Sequence, residues 1–316
     1  MVPLLLGVFF VVYSFYEFTP EERQTLYDNI AQVDPIWIFL SVVGGLLSHL
    51  SRAYRWKLLI EPLGYKLPLY TSFMAVMSAY LANLGIPRSG EVLRGASVAT
   101  YEEIPFQKAF GTIIAERAVD LVMLLLIVLA AVAMHTDQLV YFFDRYHINP
   151  WISMLGLLIL FLLGILFLRL IKNSKLPLFV KLRKFAIGIL QGVKSILHMK
   201  NNTAFILHTF FIWGMYIFMF YILMAAFPEM HSLTFPAILV AFVAGSFAIS
   251  ITNGGIGIYP VAVGVALALF GISKETGEAF GWVNWGTQTI LNVVVGGLSM
   301  VLLPAINRKS RQKKEA

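Results

Sequence analysis

Ionisable residues that could do chemistry are concentrated between residues 78 and 120, beside otherwise apolar sequence. The candidates alternate in sign along the chain: Arg88, Glu91, Arg94, Glu116, Arg117 and Asp120. In a membrane protein such residues are costly and by default indicate a functional site. An arginine offers a planar fork of donors that fits phosphate oxygens, so these arginines could receive a lipid phosphate. The same charges could equally clamp two helices together, and the sequence leaves both interpretations open.

The spacing of the charges predicts how they pair. On a helix, residues three or four positions apart share a face, so Asp120 can pair with Arg117 and lies beside Glu116. The like charges Glu116 and Asp120 then need a second cation, for which Arg88 and Arg94 are available. We therefore predict one ionic network of all six residues at the cytoplasmic mouth of a broken membrane segment. The carboxylates could also act as acid and base on a lipid headgroup, although neighbouring arginines favour ionised pairs.

Two apolar stretches, 69–87 and 235–271, are broken by similar sequences. The first contains A-N-L-G-I-P at residues 82–87, and the second contains T-N-G-G-I-G-I-Y-P at residues 252–260. A break frees backbone groups that hydrocarbon cannot satisfy, so it survives only inside protein or along a wet cavity. Paired breaks in two halves of a chain are typical of a transporter's binding site, although a simple kink is the alternative. The candidate residues at the breaks are Asn83, Asn253, Gly254, Gly255, Gly257, Tyr259 and Pro260.

Two further groups of polar residues lie within apolar spans. Arg52 begins the sequence R-A-Y-R-W-K at the end of a span, a pattern typical of interfacial anchors, although Arg52 lies deep enough to face a cavity. Asn284, Gln288 and Asn292 are four residues apart and so share one helix face. Such a polar stripe could hold helices together or line a path for a polar headgroup.

Composition indicates a membrane protein. Of the 316 residues, 59% are hydrophobic and 13% are charged, and the mean hydropathy is +0.78. A soluble domain carries about 25% charged residues, so the bilayer is the expected solvent. The net charge of +7 does not indicate nucleic-acid binding, because the basic residues lie in loops beside apolar spans. The sequence has no cysteine, no metal-ligand spacing among its histidines and no nucleotide-binding motif, so we expect no cofactor, no metal and no enzyme activity.

The apolar stretches and loop charges predict the order and direction of the membrane helices. Single spans are expected at 2–16, 36–60, 107–134, 151–171, 203–227 and 282–303. The acidic loop 17–34 is predicted outside, whereas the basic amphipathic loop 172–200 and the tail 307–316 are predicted in the cytoplasm. The two broken stretches then enter from opposite faces. Stretch 69–87 is expected to enter from the cytoplasm and turn back, and stretch 235–271 to enter from outside and return, either as a re-entrant hairpin or as two spans broken in the middle.

The fold class follows from these segments. We predict an all-α polytopic membrane protein with a single membrane domain, residues 1–306. It would have about eight membrane helices, with the broken or re-entrant segments 69–94 and 235–271 in an inverted-repeat-like arrangement.

The motifs also resemble a known family. The transmembrane region of bacterial lysylphosphatidylglycerol synthases, also called flippase-like, is similar in three motifs: N-L-G-I-P-R-S-G-E-V-L-R-G, A-E-R-A-V-D and T-N-G-G-I-G-I-Y-P. The resemblance runs from Trp37 to Pro304 and implies membrane helices with re-entrant segments in a bacterial cytoplasmic membrane. It implies that the six charged residues and the second break are recurrent positions of the family. For members fused to a synthase, it implies translocation of aminoacylated phospholipid between leaflets.

The leading expectation is therefore a lipid translocase that moves a phospholipid or a lipid-linked headgroup between leaflets of the cytoplasmic membrane. Its partners would be membrane phospholipids, above all anionic or aminoacylated ones. Nothing here resembles the soluble aminoacyl-transfer domain, so lysyl transfer is not expected. The alternative is a membrane scaffold or regulatory subunit for a separate lipid- or glycan-modifying enzyme, and an intramembrane headgroup enzyme is a third hypothesis. Substitution of Arg88 or Arg117 by alanine is expected to abolish lipid movement while the protein still inserts.

Overall fold

The computed structural model describes residues 18–134, 199–252 and 254–315, together with Phe9 and Tyr16. Within this part of the chain the regular structure is entirely helical, which confirms the predicted all-α class. The helices are α1 (Pro20–Ala31), α2 (Pro35–Ile60), α3 (Leu69–Gly85), α4 (Ser89–Tyr101), α5 (Phe106–Ala133), α6 (Asn202–Met224), α7 (Phe235–Ile251), α8 (Ile258–Ala268) and α9 (Lys274–Glu315). Single turns of 3-10 helix follow α2 at Glu61–Leu63 and α6 at Pro228–Met230.

Three helical segments in the described part are long and apolar enough to cross a membrane: Pro35–Leu63, Asn202–Met224 and Lys274–Asn307. They coincide with three of the predicted spans. Helix α5 has 28 residues and matches a fourth, but every segment of 18 residues within it includes Glu116, Arg117 and Asp120. The predicted loop 135–149, span 151–171 and basic loop 172–200 lie outside the described residues, apart from the last two positions, and so does nearly all of span 2–16. The number of spans and the re-entrant geometry therefore stay predictions.

Helix α1 corrects the prediction that residues 17–34 form a loop. A capping box starts this helix: Thr19 Oγ1 accepts from the amide of Glu22 at 3.3 Å, and Glu22 Oε2 accepts from the amide of Thr19 at 2.7 Å. Hydrogen bonding of the Glu22 carboxyl to the Thr19 amide first, and to the Thr19 side chain second, holds the pKa of that carboxyl below its ordinary value. Leu26 is buried, and Asn29 donates to Thr276 on α9 at 3.0 Å. The helix therefore packs on α9, and the sequence T-P-E-E at its start is the signal that indicates it.

Helices α3 and α4 form the first hairpin. The turn between them is exposed and short, and Arg88 adopts the left-handed conformation there, with φ of 62°. Asn83 Oδ1 accepts from the amide of Gly90 at 2.8 Å, which satisfies a free donor at the start of α4. A Cβ on Gly90 would lie 2.1 Å from the carbonyl oxygen of Ala79, so only glycine allows the two helices to approach this closely. Helix α4 continues to Tyr101, beyond the predicted end of the segment at residue 94.

Helices α7 and α8 form the second hairpin, and the break between them is a true interruption. Gly254, Gly255 and Gly257 have φ of 62°, 84° and 70°, the left-handed region that favours glycine. The predicted site residue Asn253 lies outside the described residues. A Cβ on Gly245 of α7 would lie 2.6 Å from the ring of Tyr259 on α8, so the two arms are in close contact.

Helix α9 packs against both hairpins through glycines. A Cβ on Gly296 would lie 2.7 Å from the carbonyl oxygen of Met77 on α3, and one on Gly281 would lie 2.5 Å from Cα of Pro260 on α8. The tips of the hairpins also meet, because a Cβ on Gly254 would lie 2.8 Å from Leu84 Cδ2. The two broken segments are therefore neighbours in the fold, as a shared site would require. Whether they are related as an inverted repeat stays a prediction.

The outward faces of the long helices are apolar. Leu129 on α5 is 63% exposed, Leu207 on α6 is 63% exposed, and Ile290 and Val301 on α9 are 65% and 70% exposed. Apolar side chains exposed on this scale are typical of a surface that faces lipid, because a soluble protein rarely leaves such contiguous patches open.

Candidate functional site

Five charged side chains from three helices form a buried group, which we call the arginine–carboxylate cluster. Its members are Arg52 and Arg55 of α2, Arg94 of α4, and Glu116 and Asp120 of α5. None of them is more than 8% exposed. Charges this deeply buried are tolerated only when they are paired and hydrogen-bonded.

Glu116 is the centre of the cluster. Its Oε1 accepts from Arg52 Nη1 at 2.8 Å and from Arg55 Nη2 at 3.1 Å. Its Oε2 accepts from Arg94 Nη2 at 2.8 Å. One carboxylate thus binds three guanidinium groups and joins α2, α4 and α5.

Asp120 completes the cluster with the same two arginines of α2. Its Oδ2 accepts from Arg52 Nη1 at 2.7 Å, and its Oδ1 accepts from Arg55 Nη2 at 2.8 Å. The like charges of Glu116 and Asp120 are therefore bridged by two cations. The prediction that Asp120 pairs with Arg117 is wrong, because buried donors from α2 take both of its oxygens and Arg117 pairs with Glu91 instead.

The three arginines of the cluster also contact uncharged side chains. Arg52 Nη2 donates to the hydroxyl of Tyr216 at 3.1 Å, and Arg55 Nη1 donates to Thr209 Oγ1 at 3.0 Å, so α6 also contacts the cluster. The guanidinium of Arg94 stacks over the ring of Trp56, 3.8 Å from its centre. Planar stacking of this kind is a property of arginine that lysine lacks.

Arg55 is a functional candidate that the sequence does not single out. The sequence pattern of Arg52, Arg55 and Trp56 predicts an interfacial anchor at a helix end. Both arginines are in fact buried, at 3% and 0% exposure. Arg52 and Arg55 are three residues apart and so lie on one helix face. This spacing is the feature of the sequence that indicates that the two arginines share a partner.

The charges of the cluster do not balance. With every group ionised, three arginines face two carboxylates, which leaves one unit of positive charge. Next to the cluster, Arg117 Nη2 pairs with Glu91 Oε1 at 2.8 Å, and these side chains are 45% and 21% exposed. This outer pair is neutral, so the excess positive charge of the cluster remains.

A narrow opening, which we call the polar cleft, lies against the cluster between α2, α3, α4 and α5. It has space for about one water molecule. Its lining residues are Arg52, Val76, Ala79, Tyr80, Asn83, Glu91, Arg94 and Arg117. Arg52 Nε, Arg94 Nε and Glu91 Oε2 are buried and have no hydrogen-bond partner among the described residues. Two of the three arginines that line the cleft, Arg52 and Arg94, therefore retain an unused Nε donor.

The predicted network is thus only partly assembled. Glu91, Arg94 and Arg117 line the polar cleft together with Asn83. Arg88 does not join them, because it lies exposed on the α3–α4 turn and makes no ion pair with the described residues. A role for Arg88 in binding stays a prediction.

The second motif and the polar stripe of α9 lie beside α3 and α8, outside the lining of the cleft. Trp285 Nε1 donates to the carbonyl oxygen of Gly254 at 2.7 Å. Asn284 donates to the hydroxyl of Tyr259, and Gln288 donates to Ser41 on α2 at 3.1 Å. The buried Oδ1 atoms of Asn284 and Asn292 have no partner among the described residues. The bonds of Asn284 and Gln288 join helices, and a role in headgroup binding stays a prediction.

No metal site is apparent in the described part of the chain, where no three histidine, aspartate or glutamate side chains come together with suitable geometry. The glutamate and aspartate of the cluster are occupied by arginines. The arrangement is suited to binding an anion.

The fold and the site define a multi-pass α-helical membrane protein with a buried, net-positive ionic cluster. The sequence profile of the family described as "Lysylphosphatidylglycerol synthase TM region" matches residues 1–296, and the chain belongs to this family. A curated relative, the UPF0104 membrane protein MJ1595 of Methanocaldococcus jannaschii, is 29% identical over 94 residues. That alignment covers 29% of this chain and only 28% of the archaeal protein. No solved structure matches the chain.

Proposed function

We propose that the protein is a lipid translocase that moves a phospholipid or a lipid-linked headgroup between the leaflets of a bacterial cytoplasmic membrane. The phosphate of the lipid would enter the polar cleft and be received by Arg52, Arg94 and Arg117. The observation that carries this proposal is the unbalanced positive charge of the arginine–carboxylate cluster beside the cleft.

An excess charge inside a membrane protein is expensive, because hydrocarbon and packed side chains solvate it poorly. A phosphate group would offset that charge and could accept hydrogen bonds from unused guanidinium donors. Arg52 Nε and Arg94 Nε are such donors, and both residues line the cleft. An anionic or aminoacylated phospholipid would supply the phosphate together with a polar headgroup.

The cleft is too small for a headgroup in this conformation, so transport requires that it opens. Helix α4 is the element best placed to move, since it is 13 residues long and is flanked by an exposed turn. Opening towards one membrane face and then the other would be alternating access around a fixed phosphate site, as in other transporters with broken helices. The C-terminus would lie on the cytoplasmic side, where the phosphate first enters.

The test is the movement of fluorescent phospholipids between leaflets of proteoliposomes, with headgroups that differ in charge. Wild type would be compared with Arg117→Ala, with Arg88→Ala and with the control Lys66→Ala, which removes an exposed charge between α2 and α3. We expect headgroup-dependent movement that is lost in Arg117→Ala and kept in the control. Loss in Arg88→Ala as well would extend the phosphate path to the α3–α4 turn.

Normal movement in a folded Arg117→Ala variant would remove the proposed role of the cleft. No movement of any lipid by folded wild-type protein would overturn the translocase proposal. Stable co-purification with a separate lipid-modifying enzyme would then indicate a scaffold or regulatory subunit.

A further inference from the structure

His49 is a buried ionisable side chain near the polar cleft for which the proposed function has no role. It lies on α2, three residues before Arg52, and is 4% exposed. Both ring nitrogens are buried, and neither has a hydrogen-bond partner among the described residues. Because buried polar atoms in proteins are nearly always hydrogen-bonded, an imidazole with two unused nitrogens requires an explanation.

The surroundings of His49 connect it to the cluster. Its ring lies 4.7 Å from the ring of Tyr80, which lines the polar cleft. The hydroxyl of Tyr80 is 3.4 Å from that of Tyr216, which accepts a hydrogen bond from Arg52 at 3.1 Å. A change of charge at His49 would therefore act on the same arginine that is expected to receive the phosphate.

No described residue forms an ion pair with His49, and the carboxylate Glu91, which lines the polar cleft, pairs with Arg117 through Oε1. Helix α3 offers Tyr80, helix α4 offers Arg94 and Glu91, and α6 offers Tyr216 and His208. On α5 the carboxylates Glu116 and Asp120 are bound by arginines, and Arg117 is a further cation. Helix α9 has no ionisable residue between Glu278 and Arg308. A proton on His49 would add a second unit of positive charge beside the cluster.

We propose that His49 is a proton-binding site that is coupled to the binding of a phosphate group in the polar cleft. The proposal rests on the translocase function argued above and names its co-substrate, the proton. Without an anion, a proton on His49 is disfavoured first by burial of the ring and then by the positive charge of Arg52. A bound phosphate would offset the positive charge and so make protonation of the imidazole more favourable.

Linkage makes this coupling reciprocal: if phosphate binding promotes protonation, then protonation promotes phosphate binding by the same factor. The affinity for phosphate must therefore rise as the pH falls, by at most about tenfold per pH unit for a single proton. A pH gradient across the membrane could then drive the lipid in one direction.

The direct test is proton uptake by the full-length protein in detergent and weak buffer, followed with a pH-indicator dye. Short-chain phosphatidylglycerol is added in one arm and dimethyl phosphate, a phosphodiester that does not titrate near neutral pH, in the other. We expect each protein molecule that binds a ligand to take up about one proton, as for a single linked site. Uptake in both arms means that the phosphate group alone suffices, and uptake in the lipid arm alone means that the site needs the rest of the lipid.

Variants assign the proton to His49. His49→Gln and His49→Phe should bind lipid without proton uptake, and their lipid movement in proteoliposomes should lose its pH dependence. His208→Gln is the matched control, because His208 bonds to Ser51 at 2.8 Å and does not line the cleft. It should behave as wild type in both assays.

The outcomes separate this proposal from the translocase proposal. If wild type moves lipid at a rate that does not depend on pH, or binds it without proton uptake, the role of His49 is wrong and the translocase function stands. Uptake that persists in folded His49→Gln or His49→Phe also overturns the assignment. If wild type neither binds nor moves lipid at any pH, the translocase function itself fails.

Discussion

Arg94 on α4 donates from Nη2 to Glu116 Oε2 on α5 over 2.8 Å, and this bond ties the first hairpin to the body of the membrane domain. The same guanidinium stacks on Trp56 of α2, 3.8 Å from the ring centre. Arg94 also lines the polar cleft. Any movement of α4 that opens the cleft must therefore weaken the contacts of Arg94 or carry its partners along. The residue that we propose to bind the phosphate thus also connects α4 to α2 and α5.

Removal of the central carboxylate should severely destabilise the protein. Glu116→Gln leaves Arg52, Arg55 and Arg94 buried around a neutral amide. Breaking a buried ionic group by removing one partner costs about 3–5 kcal/mol, because the remaining charges stay desolvated. The measurement is the free energy of unfolding in mixed detergent micelles.

Glu91→Gln is the matched control for that substitution. It removes the same charge from the outer pair with Arg117, whose side chains are 21% and 45% exposed. Pairs near solvent contribute about 0–1 kcal/mol, so this variant should unfold close to wild type. Equal unfolding free energies for the two variants would mean that the cluster is not the buried, desolvated group described above.

Arg94→Lys keeps the charge and tests the shape of the side chain. Lysine can lie over Trp56 but cannot stack on it as a plane, so it keeps only part of a contact that is worth about 1–2 kcal/mol when buried. We expect a loss of at most that size in unfolding free energy, together with weaker lipid binding. Arg88→Lys, the same change on the exposed turn, should stay within about 0.5 kcal/mol of wild type. A stable Arg94→Lys variant would show that charge alone matters at this position.

The long helices could be predicted from the sequence, because about 20 apolar residues are needed to cross a bilayer and that requirement leaves a strong signal. Helices α2, α5 and α6 begin and end within three residues of the predicted limits. Helix α9 begins earlier and ends later than its predicted span, since its N-terminal end carries Glu275 and Glu278 and its C-terminal end is basic. Helix α1 was missed because it is polar, and only its capping box indicates it.

The pairing within the site could not be predicted, for a physical reason. The expected pair Arg117–Asp120 is a local contact on one helix, and such contacts are worth about 0.2–0.5 kcal/mol. The observed partners of Asp120 are Arg52 and Arg55, which come from another helix and are fully buried. Which of these contacts forms depends on where α2 packs against α5, and one sequence does not contain that information.

Gly90→Ala should disrupt the first hairpin. The added Cβ would lie 2.1 Å from the carbonyl oxygen of Ala79, so α4 must move away from α3. Overpacking of this kind costs about 1–3 kcal/mol. Gly111→Ala on α5 is the control, since nothing lies within 4 Å of its added Cβ, and alanine there should be neutral or slightly stabilising. If Gly90→Ala unfolds like the control, the two helices are not as close as described.

The second hairpin should depend on the indole of Trp285. Its Nε1 donates to the carbonyl oxygen of Gly254 at 2.7 Å, in the break where helical hydrogen bonds are lost. Trp285→Phe keeps the aromatic ring but leaves that half-buried carbonyl without its donor. A fully buried unsatisfied group costs about 1–3 kcal/mol, so we expect a loss of unfolding free energy at or below the lower end of that range and a looser hairpin tip.

Trp282→Phe is the control, because Trp282 contacts Trp285 edge to face at 5.7 Å and makes no side-chain hydrogen bond with the described residues. The chain has no cysteine, so a single Thr252→Cys label reports on the tip without background. Thr252 is 6% exposed, and its labelling requires the tip to open. Labelling should be faster with Trp285→Phe than with Trp282→Phe. Equal labelling rates would show that the break is held by packing rather than by this hydrogen bond, and the tip would then be free to move without breaking it.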